Sequence, residues 1–177
     1  HGETETAAMP APVARLVTNV VVVAASPESG IRNVAGLFAR ARARSGALTY
    51  ATPGLLSHLH VAMEAFAGAA GMEMVHVPFP GTAPGVTAAL AGQVDLISLP
   101  PGALAAGAGD RRLRPVAVMA AERVPELPDV PTLRESGFDL VFNGWRGFFA
   151  PRGTPRAATA IWERAAFEAP QDPAFAQ

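Results

Sequence analysis

Short apolar runs alternate along the chain with segments in which apolar residues recur at helical spacing. The first run, residues 13–25, is rich in valine and predicts one buried strand. In residues 33–44, Val34, Leu37 and Phe38 share one helical face and arginines occupy the other. A strand followed by an amphipathic helix is the repeating unit of an α/β domain.

The same alternation continues to the end of the chain. Further strands are predicted at 48–51, 74–78, 94–99, 114–119 and 140–149, and further helices at 59–70, 84–91, 132–136 and 154–168. Local signals set three helix starts: Pro84 as a first helical residue, a capping pattern of Thr132 with Glu135, and Thr154 as a cap. The alternation predicts a parallel or mixed sheet with helices packed on it.

Composition narrows the classes of function. Half of the 177 residues are hydrophobic and 16% are charged, which is typical of a globular chain rather than a disordered one. The formal net charge of −1 provides no basic field for nucleic acid, so no nucleic-acid partner is expected. The absence of cysteine excludes disulfides, thiol catalysis and cysteine-based zinc sites.

The first residues carry no recognisable targeting signal. The chain opens with HGETETAAMPAP rather than with Met, and we expect a processed, tagged or truncated N-terminus. Residues 1–12 are predicted to form a flexible lead-in. No apolar run reaches the length that a membrane-spanning helix needs.

Two predicted strand-to-helix loops, at 51–57 and 78–84, have the composition of an anion site. Each combines a glycine with a hydroxyl residue next to a helix start, Gly54 with Ser57 and Gly81 with Thr82. Backbone N–H groups at a helix N-terminus bind carboxylate or phosphate without a cationic side chain. The alternative is that Ser57 and Thr82 only cap or shape their helices.

The histidines raise the alternative of a metal site. His58 and His60 are two residues apart, so they point to different faces of a helix, and His76 lies in the middle of a predicted strand. A helical chelate needs a spacing of three or four residues, and no nucleophile-elbow sequence is present. Asp95 fits a structural hydrogen-bonding role as well as a ligand role.

Several motifs, taken in chain order, resemble the substrate-binding receptors of tripartite tricarboxylate transporters, the Bug-type periplasmic solute-binding proteins. The first motif follows the family pattern with Tyr50, Ala51, Thr52, Ser57, His60, Val61, Ala62, Glu64 and Phe66. The others are MVHVPFPGTAP at 74–84, GQVDL at 92–96, LPDVPTLRESGF at 127–138, GWRGFFAPRGTP at 144–155 and DPAF near the end. The resemblance extends from about residue 13 to 175.

The resemblance implies a function in binding rather than catalysis, with no cofactor and no metal. It implies a type II periplasmic binding protein-like α/β domain, with a mixed, mostly parallel sheet flanked by helices. The implied ligand is a small organic anion, handed in the periplasm to the membrane permease subunits of the transporter. The implied ligand-binding residues are Thr52, Pro53, Gly54, Ser57, His60, Phe79, Gly81, Thr82, Ala83 and Ser98.

From the family pattern, we expect the first half-domain to be absent and residues 13–145 to correspond to the family's second domain. Residues 146–177 are then a return segment that joins the first domain in the family. Leu56 replaces a usual glycine, Pro80 replaces a common lysine, and Ile97-Ser98-Leu99 stands where many members have Asp or Asn. Without the usual Asp or Asn at 97–99, an amino group on the ligand would lack a partner, which favours an acid without an amino group.

Two other functions stay open at this point. The missing half-domain suggests a truncated sensory or interaction module that no longer serves transport. A metal-dependent enzyme using His58, His60 and His76 is the other alternative. Exposed apolar surface at the missing domain predicts self-association or domain swapping between copies.

Overall fold

The computed structural model describes residues 10–43, 48–105 and 112–172. The predicted last residue of the first helix, residue 44, and most of the predicted lead-in lie outside these residues. The chain divides into two compact units. The sheet unit is Val20–Gly144, and the terminal unit combines the residues up to Asn19 with those from Trp145 onward.

Seven strands and five helices follow one another in the described residues. The strands are β1 (Ala11–Val20), β2 (Val22–Ala25), β3 (Leu48–Thr52), β4 (Met74–Pro78), β5 (Leu96–Leu99), β6 (Arg114–Val118) and β7 (Asn143–Ala150). The helices are α1 (Val34–Ala43), α2 (His58–Ala70), α3 (Thr82–Leu90), α4 (Pro101–Ala105) and α5 (Arg156–Glu168). The predicted order of strand and helix from 33 to 99 is confirmed.

The sheet unit contains a five-stranded sheet in the order β4-β3-β5-β2-β6. β3 runs parallel to both β4 and β5, whereas β2 is antiparallel to β5 and to β6. The sheet is mixed, as predicted, but two of its four strand pairs are parallel and two are antiparallel, so it is less parallel than expected. Because β3, β4 and β5 are parallel, their carboxyl ends lie at one edge of the sheet.

Helices cover both faces of this sheet. On one face, Leu37 of α1 and Leu59, Met63 and Phe66 of α2 pack against strand residues that include Tyr50. On the other face, Ala89 of α3 belongs to a cluster with Ala51, Ile97 and Leu99. Side chains alternate between the faces along each strand. β3 therefore contributes to both cores and is completely covered at Tyr50 and Ala51.

The terminal unit is built from β1, β7 and α5. β1 and β7 form a two-stranded sheet of their own. Gly147 allows the close approach, since a Cβ at this position would lie 2.4 Å from the carbonyl oxygen of Ala14. In this unit α5 has no buried residue, and the large apolar side chains with more than a third of their surface exposed are Leu16, Val17, Trp145, Phe148, Phe149, Ile161, Trp162 and Phe167.

The single strand predicted at 13–25 is wrong. Val20 ends β1 and Val22 begins β2, and the two strands belong to different sheets. A continuous run of valines has no turn residue to mark the change, because β-branched residues suit both strands equally.

Three predicted helix starts also differ from the structure. α3 begins at Thr82, two residues before Pro84, with Gly81 as its N-cap. α5 begins at Arg156 after Pro155, and the hydroxyl of Thr154 donates instead to the carbonyl of Pro151. Thr132 forms an isolated parallel bridge with Val118, and residues 133–137 form turns rather than a helix.

The capping contacts expected from the Thr-x-x-Glu pattern are nevertheless present in those turns. The backbone N–H of Thr132 donates to the carboxylate of Glu135 at 2.7 Å, and the N–H of Glu135 donates to the hydroxyl of Thr132 at 3.0 Å. The pattern therefore predicts the hydrogen bonds but not the length of the element. Among the described residues, no helix is long and apolar enough to cross a membrane.

Candidate functional site

The two predicted loops begin side by side at the carboxyl edge of the sheet. Thr52, the last residue of β3, pairs with Pro78, the last residue of β4. The backbone N–H of Phe79 donates to the carbonyl of Thr52 at 2.9 Å and ties the start of the second loop to the end of β3. β5 flanks β3 on its other side, where Ala51 pairs with Ile97. Loops that follow neighbouring parallel strands line the usual ligand crevice of an open α/β sheet.

The first loop turns at Pro53 and Gly54 and leads into α2. The buried hydroxyl of Thr52 donates to the carbonyl of Gly54 at 3.0 Å, which closes the turn on the strand end. Ser57 is the N-cap of α2, and its hydroxyl accepts the backbone N–H of His60 at 3.2 Å. Ser57 therefore does cap its helix, which places the first turn of α2 at the loop edge.

Leu55 and Leu56 form the outer part of this loop. Their exposed fractions are 68% and 76%, so both side chains project into solvent. Leu56 has a φ of 59° and is the one non-glycine residue with positive φ in the part of the chain that the structure describes. Left-handed backbone favours glycine, which agrees with the glycine usual at this position in the family pattern.

The second loop leads from Phe79 into α3. The N–H of Gly81 donates to the carbonyl of Phe79 at 2.8 Å, and Gly81 itself has a φ of 124°. Thr82 is the first residue of α3, Ala83 is exposed, and no side chain caps this helix. The first-turn N–H groups of α3 thus lie beside the loop without a capping side chain.

Ser98 lies within β5 and is fully buried. Its Oγ has no hydrogen-bond partner among the residues the structure describes. Ile97 and Leu99 on either side are equally buried. None of these three residues of β5 carries a carboxylate. A direct contact between Ser98 and a ligand stays a prediction.

A polar cluster behind the first loop was not recognised as part of the site from the sequence. Nε2 of His76, on β4, lies 2.7 Å from the hydroxyl of Thr52. The ring of His76 stacks on that of His60, with centroids 3.9 Å apart. The hydroxyl of Tyr50 donates to the carboxylate of Glu64. The position of His76 two residues before the end of a strand was the available signal, since it places the ring beside Tyr50 in the parallel register.

Burial and neighbouring charge set the protonation of this cluster. Burial lowers the pKa of His76, and the nearby His60 lowers it further, while Glu64 opposes both effects. Burial raises the pKa of the Tyr50 hydroxyl, and its hydrogen bond to Glu64 and the charge of Glu64 add to the rise. His76 therefore favours the neutral form, as a hydrogen-bonding partner of Thr52.

The contacts of the histidines and of Asp95 bear on the other sequence hypotheses. No group of three or more histidine, aspartate or glutamate side chains that could hold a metal occurs among residues 10–43, 48–105 and 112–172. His60 and His76 lie face to face rather than converging on a common point. Asp95 accepts the N–H and the hydroxyl of Thr49, both at 3.0 Å, at the opposite end of β3. This supports the structural role of Asp95.

Gly144, the first glycine of the GWRG motif, leaves space beside the start of α2. A Cβ at this position would lie 2.6 Å from Cδ2 of His58. Glycine therefore leaves room for the imidazole at the first residue of α2.

Comparisons with known proteins identify the family of the chain. Residues 6–177 match the family described as the tripartite tricarboxylate transporter family receptor, TctC. A UPF0065 protein of Pseudomonas sp. (strain P51) is 35% identical over 153 residues, which are 84% of this chain and 44% of that protein.

Two solved structures are similar over nearly the whole chain. A periplasmic transporter superposes with a TM-score of 0.82 at 32% identity, covering 93% of this chain and 55% of its own. R. palustris Rpa4515 with adipate superposes with a TM-score of 0.85 at 28% identity, covering 97% and 57%. The chain thus spans about half the length of the relatives it matches. The chain belongs to the tripartite tricarboxylate transporter receptor family, the Bug-type solute-binding proteins, and has their periplasmic binding protein fold.

Proposed function

We propose that the chain binds a small organic carboxylate at the carboxyl edge of β3 and β4, as part of an extracytoplasmic solute receptor. The observation that carries the proposal is the pairing of Thr52 with Pro78, because it brings two glycine-containing loops and two helix N-termini to one place. Partial positive charge at both helix starts favours an anion there. The relative solved with adipate supports a carboxylate as the anion.

The proposed contacts come from both loops and from the strand beside them. They are Thr52, Pro53, Gly54, Ser57, His60, Phe79, Gly81, Thr82, Ala83 and Ser98. Leu55, Leu56 and Phe79 add apolar surface, and we propose that they contact the hydrocarbon part of the acid.

The ligand class is a carboxylic acid without an amino group. Recognition of an ammonium group needs a nearby acceptor, and an unpaired buried ammonium costs several kcal/mol. The stretch Ile97-Ser98-Leu99 offers no carboxylate at β5. Glutarate and glutamate differ only in the amino group, and they therefore form a matched pair for testing this point.

Family membership supports a place in transport for this receptor. We propose a periplasmic location and delivery of the acid to the membrane permease subunits of a tripartite transporter. A chain that keeps the fold but binds no acid would favour the alternative of a sensory or interaction module.

Isothermal titration of adipate, glutarate and glutamate into the full chain tests the proposal. We expect heat of binding for adipate and glutarate and none for glutamate. A broad panel of carboxylic acids that neither releases heat nor raises the melting temperature would overturn it. Metal analysis of the purified protein tests the enzyme alternative, which stoichiometric zinc would favour.

Self-association is proposed separately, from the apolar surface of the terminal unit. Leu16, Val17, Phe148 and Trp162 line a groove of about 290 Å³ together with the small residues of α5. An exposed apolar area of this kind favours association between copies. Sedimentation velocity at increasing concentration is expected to show a dimer, and a strict monomer would contradict it.

A further inference from the structure

The side chain of His60 reaches back from α2 to the loop that precedes it. The backbone N–H of Leu56 donates to Nδ1 of His60 at 3.1 Å. In the same turn, the backbone N–H of His60 donates to the hydroxyl of Ser57. A capping box has this reciprocal form, with a Glu or Gln side chain as the returning acceptor. Here the imidazole of His60 takes that role, and it accepts the N–H of Leu56, the residue before the N-cap Ser57, rather than the N–H of the N-cap itself.

This hydrogen bond determines where the proton of the neutral imidazole lies. Nδ1 accepts a hydrogen bond and so carries no proton, which leaves the ring proton on Nε2. Nε2 faces the carboxylate of Glu64, with 3.9 Å between Nε2 and Oε1. The negative charge of Glu64 favours a proton on that side of the ring.

The surroundings of His60 hold the ring in this orientation. Only 12% of its side-chain surface is exposed. His76 of β4 stacks on one face at 3.9 Å between centroids, and Tyr50 of β3 lies 6.3 Å away. Glu64 of the same helix is held in turn by the hydroxyl of Tyr50. Within the described part of the chain, these three groups are the titratable side chains shown against His60, and none of them donates to its Nδ1 in place of Leu56.

Loss of the Nδ1 acceptor has a definite structural consequence, because the hydrogen bond that returns to the backbone N–H of Leu56 is then lost. Leu56 has a left-handed φ of 59°, which a residue with a Cβ adopts only when its surroundings impose it.

We propose that His60 is a positioning residue, whose Nδ1 holds Leu56 and the turn at 53–57 in the conformation that binds carboxylate. The proposal rests on the proposed function for the role of the turn, but not for the hydrogen bond itself.

The first test needs no ligand. Long-range ¹H–¹⁵N correlation on the full chain assigns the proton of each imidazole, and amide exchange reports on Leu56. At neutral pH we expect His60 to carry its proton on Nε2 and the Leu56 amide to be protected. A proton on Nδ1 at neutral pH, or an unprotected Leu56 amide, would overturn the proposal.

The second test compares two variants by titration with adipate. His60→Phe keeps an aromatic ring for stacking but has no acceptor, and we expect about tenfold weaker binding, equivalent to about 1.4 kcal/mol. His60→Asn keeps an acceptor near the position of Nδ1. We expect amide exchange to show Leu56 protected in His60→Asn and unprotected in His60→Phe.

A Leu56 amide that is equally protected in both variants, or no loss of affinity in His60→Phe, would overturn the positioning role. A chain that binds no carboxylate while showing the Nε2 proton and a protected Leu56 amide would overturn the proposed function alone. The two failures are therefore distinguishable.

Discussion

Nε2 of His76 lies 2.7 Å from the hydroxyl of Thr52, so a side chain in the middle of β4 fixes a side chain at the end of β3. The Thr52 hydroxyl donates its own hydrogen to the carbonyl of Gly54. It therefore accepts the proton of His76, and the turn that follows β3 is connected to the neighbouring strand. This contact places the first loop of the proposed site on a rigid part of the sheet.

Thr52→Val is expected to destabilise the protein and weaken binding of adipate. Valine keeps the shape of threonine but leaves the buried N–H of His76 without an acceptor, which costs about 1–3 kcal/mol. Urea denaturation and calorimetric titration measure the two effects. Thr87→Val is the control, because the exposed Thr87 hydroxyl only donates to the carbonyl of Ala83 within α3, and its change should stay within about 0.5 kcal/mol. A Thr52→Val chain with native stability and affinity would refute the role of this hydroxyl.

Leu56→Gly is expected to stabilise the fold by about 0.5–1 kcal/mol. Glycine removes the cost of a left-handed residue, about 1–2 kcal/mol, and adds a smaller entropic cost in the unfolded chain. Leu55→Gly is the matched control, since Leu55 is similarly exposed but has no positive φ. The melting temperature should rise for Leu56→Gly and fall for Leu55→Gly. A shift in the same direction would show that backbone strain at Leu56 does not limit stability.

Asp95→Asn should affect stability and leave the affinity for adipate unchanged. Asp95 accepts two hydrogen bonds from Thr49, and Arg40 lies 3.7 Å from its carboxylate. Loss of the charge weakens these contacts by about 1–2 kcal/mol. Thr49 and Thr52 lie about 10 Å apart along β3, so the change is remote from the loops. Weaker adipate binding by a folded Asp95→Asn chain would place the site at the wrong end of the strand.

Stability is expected to fall on mild acidification because of His76. Free histidine has a pKa of about 6.5, and burial lowers the pKa of His76 in the folded chain. The unfolded chain then takes up the proton first. The stability contributed by neutral His76 is complete above about pH 6.5 and is lost as the pH falls towards its lower folded pKa.

Comparison with His76→Gln isolates this contribution. Glutamine keeps an N–H donor for Thr52 but does not titrate, so its stability should change less than that of the native chain between pH 7 and about 5. The pKa of Glu135 is also lowered, but its contribution to stability is lost only as the pH falls below the ordinary value of 4.5. This change therefore lies at lower pH than the one expected from His76. Parallel pH profiles for the two chains would contradict the assignment to His76.

Gly147→Ala is expected to destabilise the pairing of β1 with β7. The new Cβ would lie 2.4 Å from the backbone oxygen of Ala14, and backbone shifts of this kind cost about 1–3 kcal/mol. Gly68→Ala is the control, because its Cβ meets nothing within 4 Å in α2 and alanine favours the helix by up to about 1 kcal/mol. Circular dichroism during thermal unfolding should show the first variant less stable and the second more stable than the native chain. Equal melting temperatures for all three would contradict the close approach.

The elements around the site could be predicted because their signals are local. Ser57 begins α2 and Gly71 ends it in a left-handed conformation, so capping residues mark both ends of an apolar helical pattern. The split between β1 and β2 could not be predicted, since pairing partners far along the chain decide it and valine suits either sheet. Pro84 was misleading, because a proline is tolerated throughout the first helical turn and the glycine before it sets the start.

The residues of the candidate site also fall into those that local signals reveal and those that depend on contacts between elements. Thr52, Gly54 and Gly81 were visible as loop residues next to a helix start. The contribution of His76 depends on the parallel register that sets it beside Tyr50, and that of Glu64 on the helix that covers this face. Such contacts arise between elements, and no spacing within one segment reveals them.

The central claim is that the two loops at the carboxyl edge of β3 and β4 bind a carboxylate. Titration of adipate into the ¹⁵N-labelled full chain, followed through the backbone amides, tests it most directly. The account predicts that the largest shifts fall on residues 52–57 and 79–83, while the amides of Thr49 and Asp95 hardly move. Shifts concentrated elsewhere, or an unchanged spectrum into the millimolar range, would contradict it.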